Sequence, residues 1–314
     1  MTSKIITTKT SAGYALIDSG EGDKLERFGV FTLARPDPQA LWLKSFPAEV
    51  WQKAQGVFSP EPAQTKNEKG KVGISEKSSW KMKAGTPEKW QITLGDLQFW
   101  IKPSSFKHVG IFPEQVGNWD WLRDVIKNYK ASPEVKSKIG SEKVSVLNLF
   151  GYTGGATLAA ASAGAEVVHV DGSKTAITWA RENAELSGLG GKPIRWILDD
   201  AVAFVKREVK RGNKYDGIIM DQPVFGRGPD GEVWKIEDDF LKLIDLCKQI
   251  MKPKPLFFLI NGYAAGYSAL AYENILKNLT KDWVGSIETG ELTIEEEKTG
   301  RLLPAGIFGR WQAK

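Results

Sequence analysis

The chain has one cysteine and two histidines among 314 residues. A single cysteine excludes an internal disulfide framework and any cysteine-built metal site. Two histidines, His108 and His169, are too few for most zinc chemistry, so no metal is expected. No run of about 18 apolar residues occurs, which argues against a membrane-spanning helix. The opening residues MTSKIITTKTSAGYALID lack an apolar core of about 7–15 residues, so no secretory leader is expected. Internal repeats are absent as well. Together these absences predict a cytoplasmic protein without a membrane partner.

Hydrophobic residues make up 41% of the chain, enough for a sizeable core. The formal net charge of +5 permits an anionic partner without demanding one. Twelve tryptophans are many for this length; most are expected in the core, Trp119 and Trp121 among them. The patterning divides the chain in two. Residues 1–105 read as a β-rich region, with strand-like pieces such as YALIDSG, WKMKAG, WQITLGD and LQFWIKP between turn signals. Gly95-Asp96 is expected to turn a hairpin. This region is a candidate substrate-recognition domain. Its segment 66–89 holds seven lysines near Trp80 and Trp90, a composition suited to RNA backbone contact or to a solvated loop or hairpin tip.

Residues 106–314 alternate strands and helices. VSVLNLF, EVVHVD, PIRWILDD, YDGIIMDQP and PLFFLIN read as strands. Helices between them are expected to end at Gly188 and Gly212, and a further helix, EQVGNWDWLRDVIKNYK, to break at Ser132-Pro133. The expected fold is α/β: a doubly wound, mostly parallel Rossmann-like sheet preceded by an N-terminal β-rich domain.

Ligands of such sheets bind beyond the carboxyl ends of the strands. In chain order those ends carry Phe150-Gly151-Tyr152-Thr153-Gly154-Gly155, Asp171-Gly172-Ser173, Asp199-Asp200-Ala201, Asp221-Gln222-Pro223-Val224-Phe225 and Asn261-Gly262-Tyr263. Asp171 follows Gly154 by 17 residues, a spacing that suits a carboxylate on a ribose diol. The turn G-Y-T-G-G lacks the G-x-G-x-x-G spacing that meets a pyrophosphate, which argues against a nicotinamide dinucleotide. Carboxylates at several strand ends suit a cationic ligand without phosphates, and S-adenosyl-L-methionine (SAM) is such a ligand. Ser173 and Ala201 complete the candidate cofactor pocket. Asp171 or Ser173, and Asp199 or Asp200, are equally placed to cap the helices that follow.

The sequence resembles class I SAM-dependent methyltransferases, in the branch related to large-subunit rRNA cytosine-C5 methyltransferases. The stretches that carry the resemblance are GIFPEQVGNWDWL, VLNLFGYTGGATLAAASAGAEVVHVDGSKTAITWARENAELSGL, WILDDAVAFV, YDGIIMDQPVFGRG and TGRLLPAGIFGRW. The resemblance implies that Phe150, Tyr152, Gly154 and Gly155 pass under the methionine part of SAM. It also implies that Asp171 holds the ribose and Asp200 the adenine. Phe112, Glu114 and Gln115 would lie over the cofactor, with Asp221, Gln222, Pro223 and Phe225 facing the methyl group and the target.

Two positions depart from the family. Gln222 stands where proline is usual, which loosens the loop and adds a polar side chain near the target. Asn261 lies where the family carries the cysteine that cytosine-C5 chemistry needs. The single cysteine, Cys247, shares a helical face with Leu243, Ile244 and Ile250 and is expected in the core. The expected activity is therefore direct in-line methyl transfer, with RNA, rRNA in particular, as the expected substrate. A protein or small-molecule substrate, or a SAM-binding protein without turnover, remain the alternatives.

Overall fold

The computed structural model describes residues 3–59, 63–66, 72–75, 79–104, 107–133, 143–263 and 266–314. The chain forms two compact units. One comprises Met1–Ile6, Glu114–Thr293 and Ala305–Lys314; the other comprises Thr7–Pro113 and Ile294–Pro304. The division expected at 105/106 rests on composition, whereas these units follow packing, and each borrows a short piece from the far end of the chain.

The first unit is built on an eight-stranded sheet. Its strands are β1 (Lys4–Thr8), β2 (Ser145–Leu149), β3 (Glu166–Asp171), β4 (Ile194–Leu198), β5 (Gly217–Asp221), β6 (Phe257–Gly262), β7 (Gly285–Glu295) and β8 (Leu302–Ala313). Their order across the sheet is β1-β7-β8-β6-β5-β2-β3-β4. β2 to β6 are mutually parallel, and β8 runs antiparallel to β6. The five strands read from the sequence are thus the parallel part of the sheet. β1, β7 and β8 were not foreseen as members of this sheet.

Helices α1 (Val116–Ala131), α2 (Gly155–Ser162), α3 (Lys174–Leu186), α4 (Ala201–Arg211), α5 (Ile236–Ile250) and α6 (Ala269–Leu279) complete the unit. Period-2 alternation divides the strand residues between two faces. Leu147, Leu149, Val168, Val170, Ile218, Met220, Phe258 and Ile260 form one core with residues of α4, α5 and α6. On the opposite face His169 hydrogen-bonds Thr157 of α2, and Phe257 stacks edge-on with Trp121 of α1 at 5.9 Å. Helices on both faces make the sheet doubly wound, as expected.

Local chemistry sets the helix ends. Ser173 Oγ accepts the Ala176 N–H and Asp200 Oδ1 accepts the Ala203 N–H, so these two residues are the N-caps. Gly188 and Gly212 take φ of 68° and 70° and stop α3 and α4. α1 ends where Ser132, before Pro133, turns extended.

The second unit carries a five-stranded sheet of Tyr14–Gly20, Asp23–Phe28, Phe31–Pro36, Gly56–Ser59 and Ser79–Met82. A hairpin pairs Trp90–Leu94 with Leu97–Ile101 around Gly95-Asp96, the turn read from the sequence. Strands Ala63–Lys66 and Val72–Ser75 also pair, antiparallel. Lys69, Lys71 and Lys77 of the lysine-rich segment lie outside the described residues. Trp90 is buried and donates its indole N–H to the Phe28 carbonyl at 2.9 Å, so it is a core residue rather than a stacking platform. At this unit's centre lies a buried ion cluster: Glu26 pairs with Arg35 at 2.5 Å and accepts the Tyr14 hydroxyl at 2.7 Å, while Lys24 pairs with Asp37 at 3.0 Å.

Candidate functional site

The glycine turn after β2 is strained. Phe150 and Tyr152 adopt φ of 56° and 48°. Glu21 is the one other described non-glycine residue in the left-handed region. Such residues cost on the order of 1–3 kcal/mol each and persist where surroundings over-determine them. The surroundings here are specific. The Tyr152 N–H donates to Asp171 Oδ2 at 2.8 Å. A Cβ on Gly151 would lie 2.4 Å from the His169 ring. Gly154, at φ 92°, is the N-cap of α2, and a Cβ on Gly155 would lie 2.3 Å from the Trp119 ring. Adjacent glycines are therefore required twice over, once for a left-handed backbone and once for an indole packed on the turn.

Strand register aligns the site. Leu149 pairs with both Val170 and Met220, and Asp221 pairs with Asn261. Phe150, Asp171, Asp221 and Asn261 thus stand side by side at the carboxyl ends of β2, β3, β5 and β6. Asp171 accepts N–H groups from Tyr152 and Ser173, the latter at 2.7 Å. Burial pushes its pKa up, against the pull of those two donors. Asp200 keeps its cap contact, and Asp199 is ion-paired with Arg207.

Asp221 is half-buried, and among the described residues no hydrogen bond reaches its carboxylate. Burial raises its pKa to about 6. Gln222 departs from expectation. Its side chain is buried, with Nε2 donating to the Asn261 carbonyl at 3.1 Å and to Tyr272 Oη at 3.0 Å, so it ties the loop down instead of loosening it. Gln222 Oε1 is buried with no hydrogen-bond partner among the described residues. The Pro223 carbonyl accepts the Trp234 indole N–H at 2.7 Å, and Phe225 is exposed. Cys247 is wholly buried in α5, and burial pushes its thiol pKa far up, so it is no nucleophile.

Of the covering segment, Gln115 and buried Glu114 enter α1 through a short 3-10 turn, and Gln115 Oε1 accepts from Asn118 Nδ2 at 3.1 Å. Phe112 belongs to the other unit, where its ring lies 5.2 Å from that of His108.

Sequence reasoning missed a hairpin, Phe225–Arg227 with Val233–Lys235. Its tip lies against the carboxyl ends of β3 and β4. A Cβ on Gly172 would lie 3.0 Å from the Arg227 carbonyl, and one on Gly228 would lie 3.1 Å from the Asp200 Cβ. Buried Trp234 roots the hairpin, with its ring 5.0 Å from Phe150. The sole sequence signal was a tryptophan inside the polar stretch GPDGEVWK. A strained turn, aligned carboxylates and a cradle that a Cβ would fill fit a ligand with a cationic end and a ribose.

No family model matches the chain. It is 26% identical over 251 residues to the ribosomal RNA large subunit methyltransferase K of Neisseria meningitidis, a match covering 77% of this chain and 64% of that protein. It is 44% identical over 90 residues to the ribosomal RNA large subunit methyltransferase I of Aeromonas salmonicida, covering 28% of this chain and 22% of that protein. The chain thus spans less than two thirds of the length of these curated relatives. Among solved structures, a putative SAM-dependent methyltransferase from Streptococcus mutans shares the fold at a TM-score of 0.67 and 16% identity, covering 96% of this chain and 76% of that one. A SAM-dependent methyltransferase from Agrobacterium tumefaciens is 37% identical, with a TM-score of 0.87, over 99% of this chain and 94% of that one. Likeness of that extent in both sequence and fold shows that the chain belongs to the SAM-dependent methyltransferases.

Proposed function

We propose that the protein methylates RNA, rRNA in particular, by direct in-line transfer to a lone-pair atom of a base, without a cysteine adduct. The observation that carries this reading is Asp221: a half-buried carboxylate at the carboxyl end of β5, beside Phe150, with no hydrogen-bond donor of its own among the described residues. The names of the curated relatives support RNA as the acceptor.

In this reading Phe150, Tyr152, Gly154 and Gly155 bind the methionine end of SAM. Asp171 and Ser173 bind the ribose, Asp200 and Ala201 the adenine, and Gln115 covers the cofactor. When bound, SAM supplies a methyl group already activated by its sulfonium. The remaining tasks are to orient the acceptor and exclude water. Asp221 accepts a hydrogen bond from a target N–H and takes up the developing charge. Phe225 offers an exposed ring for base stacking. Pro223, held by Trp234, sets the backbone between them. Asn261 at the end of β6 leaves no thiolate for a C5 adduct, which directs the reaction to nitrogen or oxygen. A cytoplasmic location belongs to the same reading, because that is where rRNA is accessible to such an enzyme.

The test is transfer of labelled methyl from SAM to total cellular RNA. Label lost on RNase treatment, with a methylated nucleoside recovered on digestion, is the expected result. Label that resists RNase points to a protein or small molecule. SAM binding with no labelled product overturns the enzymatic reading.

A further inference from the structure

We propose that Asn118, Asn261 and Gln222 form one polar brace that relays the position of the glycine turn to Asp221, making all three positioning residues for methyl transfer. The inference rests on the reading that Asp221 faces the target.

The path is continuous within one compact unit. At its cofactor end, Trp119 of α1 presses on Gly155 so closely that no Cβ fits between them. The neighbouring Asn118 is fully buried. Its Nδ2 donates to Gln115 Oε1 at 3.1 Å and to Asn261 Oδ1 at 2.8 Å, while its Oδ1 accepts from Arg310 Nη1 at 3.3 Å. Asn261 is the two-sided member. Its side chain meets Asn118, and its carbonyl accepts from Gln222 Nε2 at 3.1 Å and from Tyr272 Oη at 3.3 Å. Gln222 also donates to Tyr272 Oη, and is bonded through the backbone to Asp221.

Carboxamides buried this deeply depend on their partners, because an amide left unpaired out of water is costly. Members of one network are therefore not independent, and removing any one of them releases the rest. In-line transfer is sensitive to displacements on the order of 1 Å, so a brace from the cofactor side to the target side acts on turnover more than on binding. The two positions that depart from the family pattern, Gln222 and Asn261, are directly joined to each other here, which gives both a shared role.

Amide hydrogen exchange with S-adenosylhomocysteine as the probe tests the brace without any acceptor. In the wild-type chain the probe is expected to slow exchange at both 151–155 and 221–226. In Asn118→Ser and in Gln222→Met, protection at 151–155 should persist while that at 221–226 falls at least threefold. Protection at 221–226 that survives in either folded variant, or that never arises in the wild type, overturns the proposal.

In the methyl-transfer assay each variant should lose kcat at least tenfold, with the KM for SAM within threefold. The double variant should be no slower than the worse single one. Losses that multiply overturn the brace. Each variant is read separately, so one that fails to fold leaves the other to decide. A wild-type chain whose 221–226 segment is protected but which labels no RNA removes the RNA reading and leaves the brace standing.

Discussion

In the proposed reaction Asp221 is the residue on which the chemistry turns, and its burial favours the protonated form. Burial lifts its pKa to about 6, against about 3.9 for a solvated aspartate. To take up the developing charge it must be ionised, so kcat should rise with pH through about 6 and then level. Asp221→Asn should remove that limb and lower kcat by roughly 10²–10⁴-fold, read from pH–rate profiles of the two proteins. The stability effect has the opposite sign. A carboxyl whose folded pKa is raised contributes stability fully below its unfolded pKa and loses it as pH rises through about 6. Asp221→Asn should therefore raise Tm at pH 7.5 while lowering activity; an unchanged or lower Tm counts against an ionised, poorly solvated carboxylate. Asp221 was legible in the sequence because a strand pattern runs directly into it. The inward turn of Gln222 was not legible, because its partners lie 39 and 50 residues further along the chain.

At the scale of elements, the hairpin after β5 reaches from the end of β2 to the ends of β3 and β4. Its root stacks Trp234 on Phe150 and holds the Pro223 carbonyl; its tip rests against Gly172 and approaches Asp200. Gly172→Ala would push a methyl group to within 3.0 Å of the Arg227 carbonyl, and the tip must give way. Binding of S-adenosylhomocysteine, measured by calorimetry, is expected to weaken about tenfold, a change worth about 1.4 kcal/mol. Trp234→Phe keeps the ring packing but loses the indole N–H. It should lower kcat and leave that binding within threefold. The helix caps were within reach of sequence reasoning, since Ser173, Asp200, Gly188 and Gly212 act within a few residues of themselves. The hairpin was not, because its strands are three residues each and too short for a period to show.

At the scale of the whole molecule, two carboxylates, one in each unit, respond to pH in opposite directions. In the β-rich unit, burial pushes the Glu26 carboxyl up, but Arg35 and Lys24, helped by the Tyr14 hydroxyl, hold it at about 2. A depressed carboxyl contributes stability above its unfolded pKa and loses it as pH falls through the folded value. The β-rich unit should therefore weaken as pH drops from about 4.5 towards 2, while Asp221 acts the other way. Glu26→Gln leaves Arg35 buried without its carboxylate and is expected to cost about 3–5 kcal/mol. Denaturant unfolding at pH 7 checks it, and a loss below about 1 kcal/mol would mean that water reaches the pair. If RNA is the substrate, its binding should weaken steeply between 50 and 200 mM salt, since phosphate contacts release counterions.

The amino-acid sequence by itself determined the parallel core, its order of strands and helices, the glycine turn and the acidic strand ends. Each of these is written in short-range signals: apolar periodicity, capping residues, and glycines at tight turns. Tertiary structure decided what those signals could not express. It brought Asn118 to Asn261 across 143 residues of chain, added β1, β7 and β8 to the sheet, set Trp234 on Phe150, and turned Gln222 inward. A hydrogen bond between distant residues leaves no periodic trace in either segment. Only the packed fold, in which burial drives polar groups to pair, selects which of them meet.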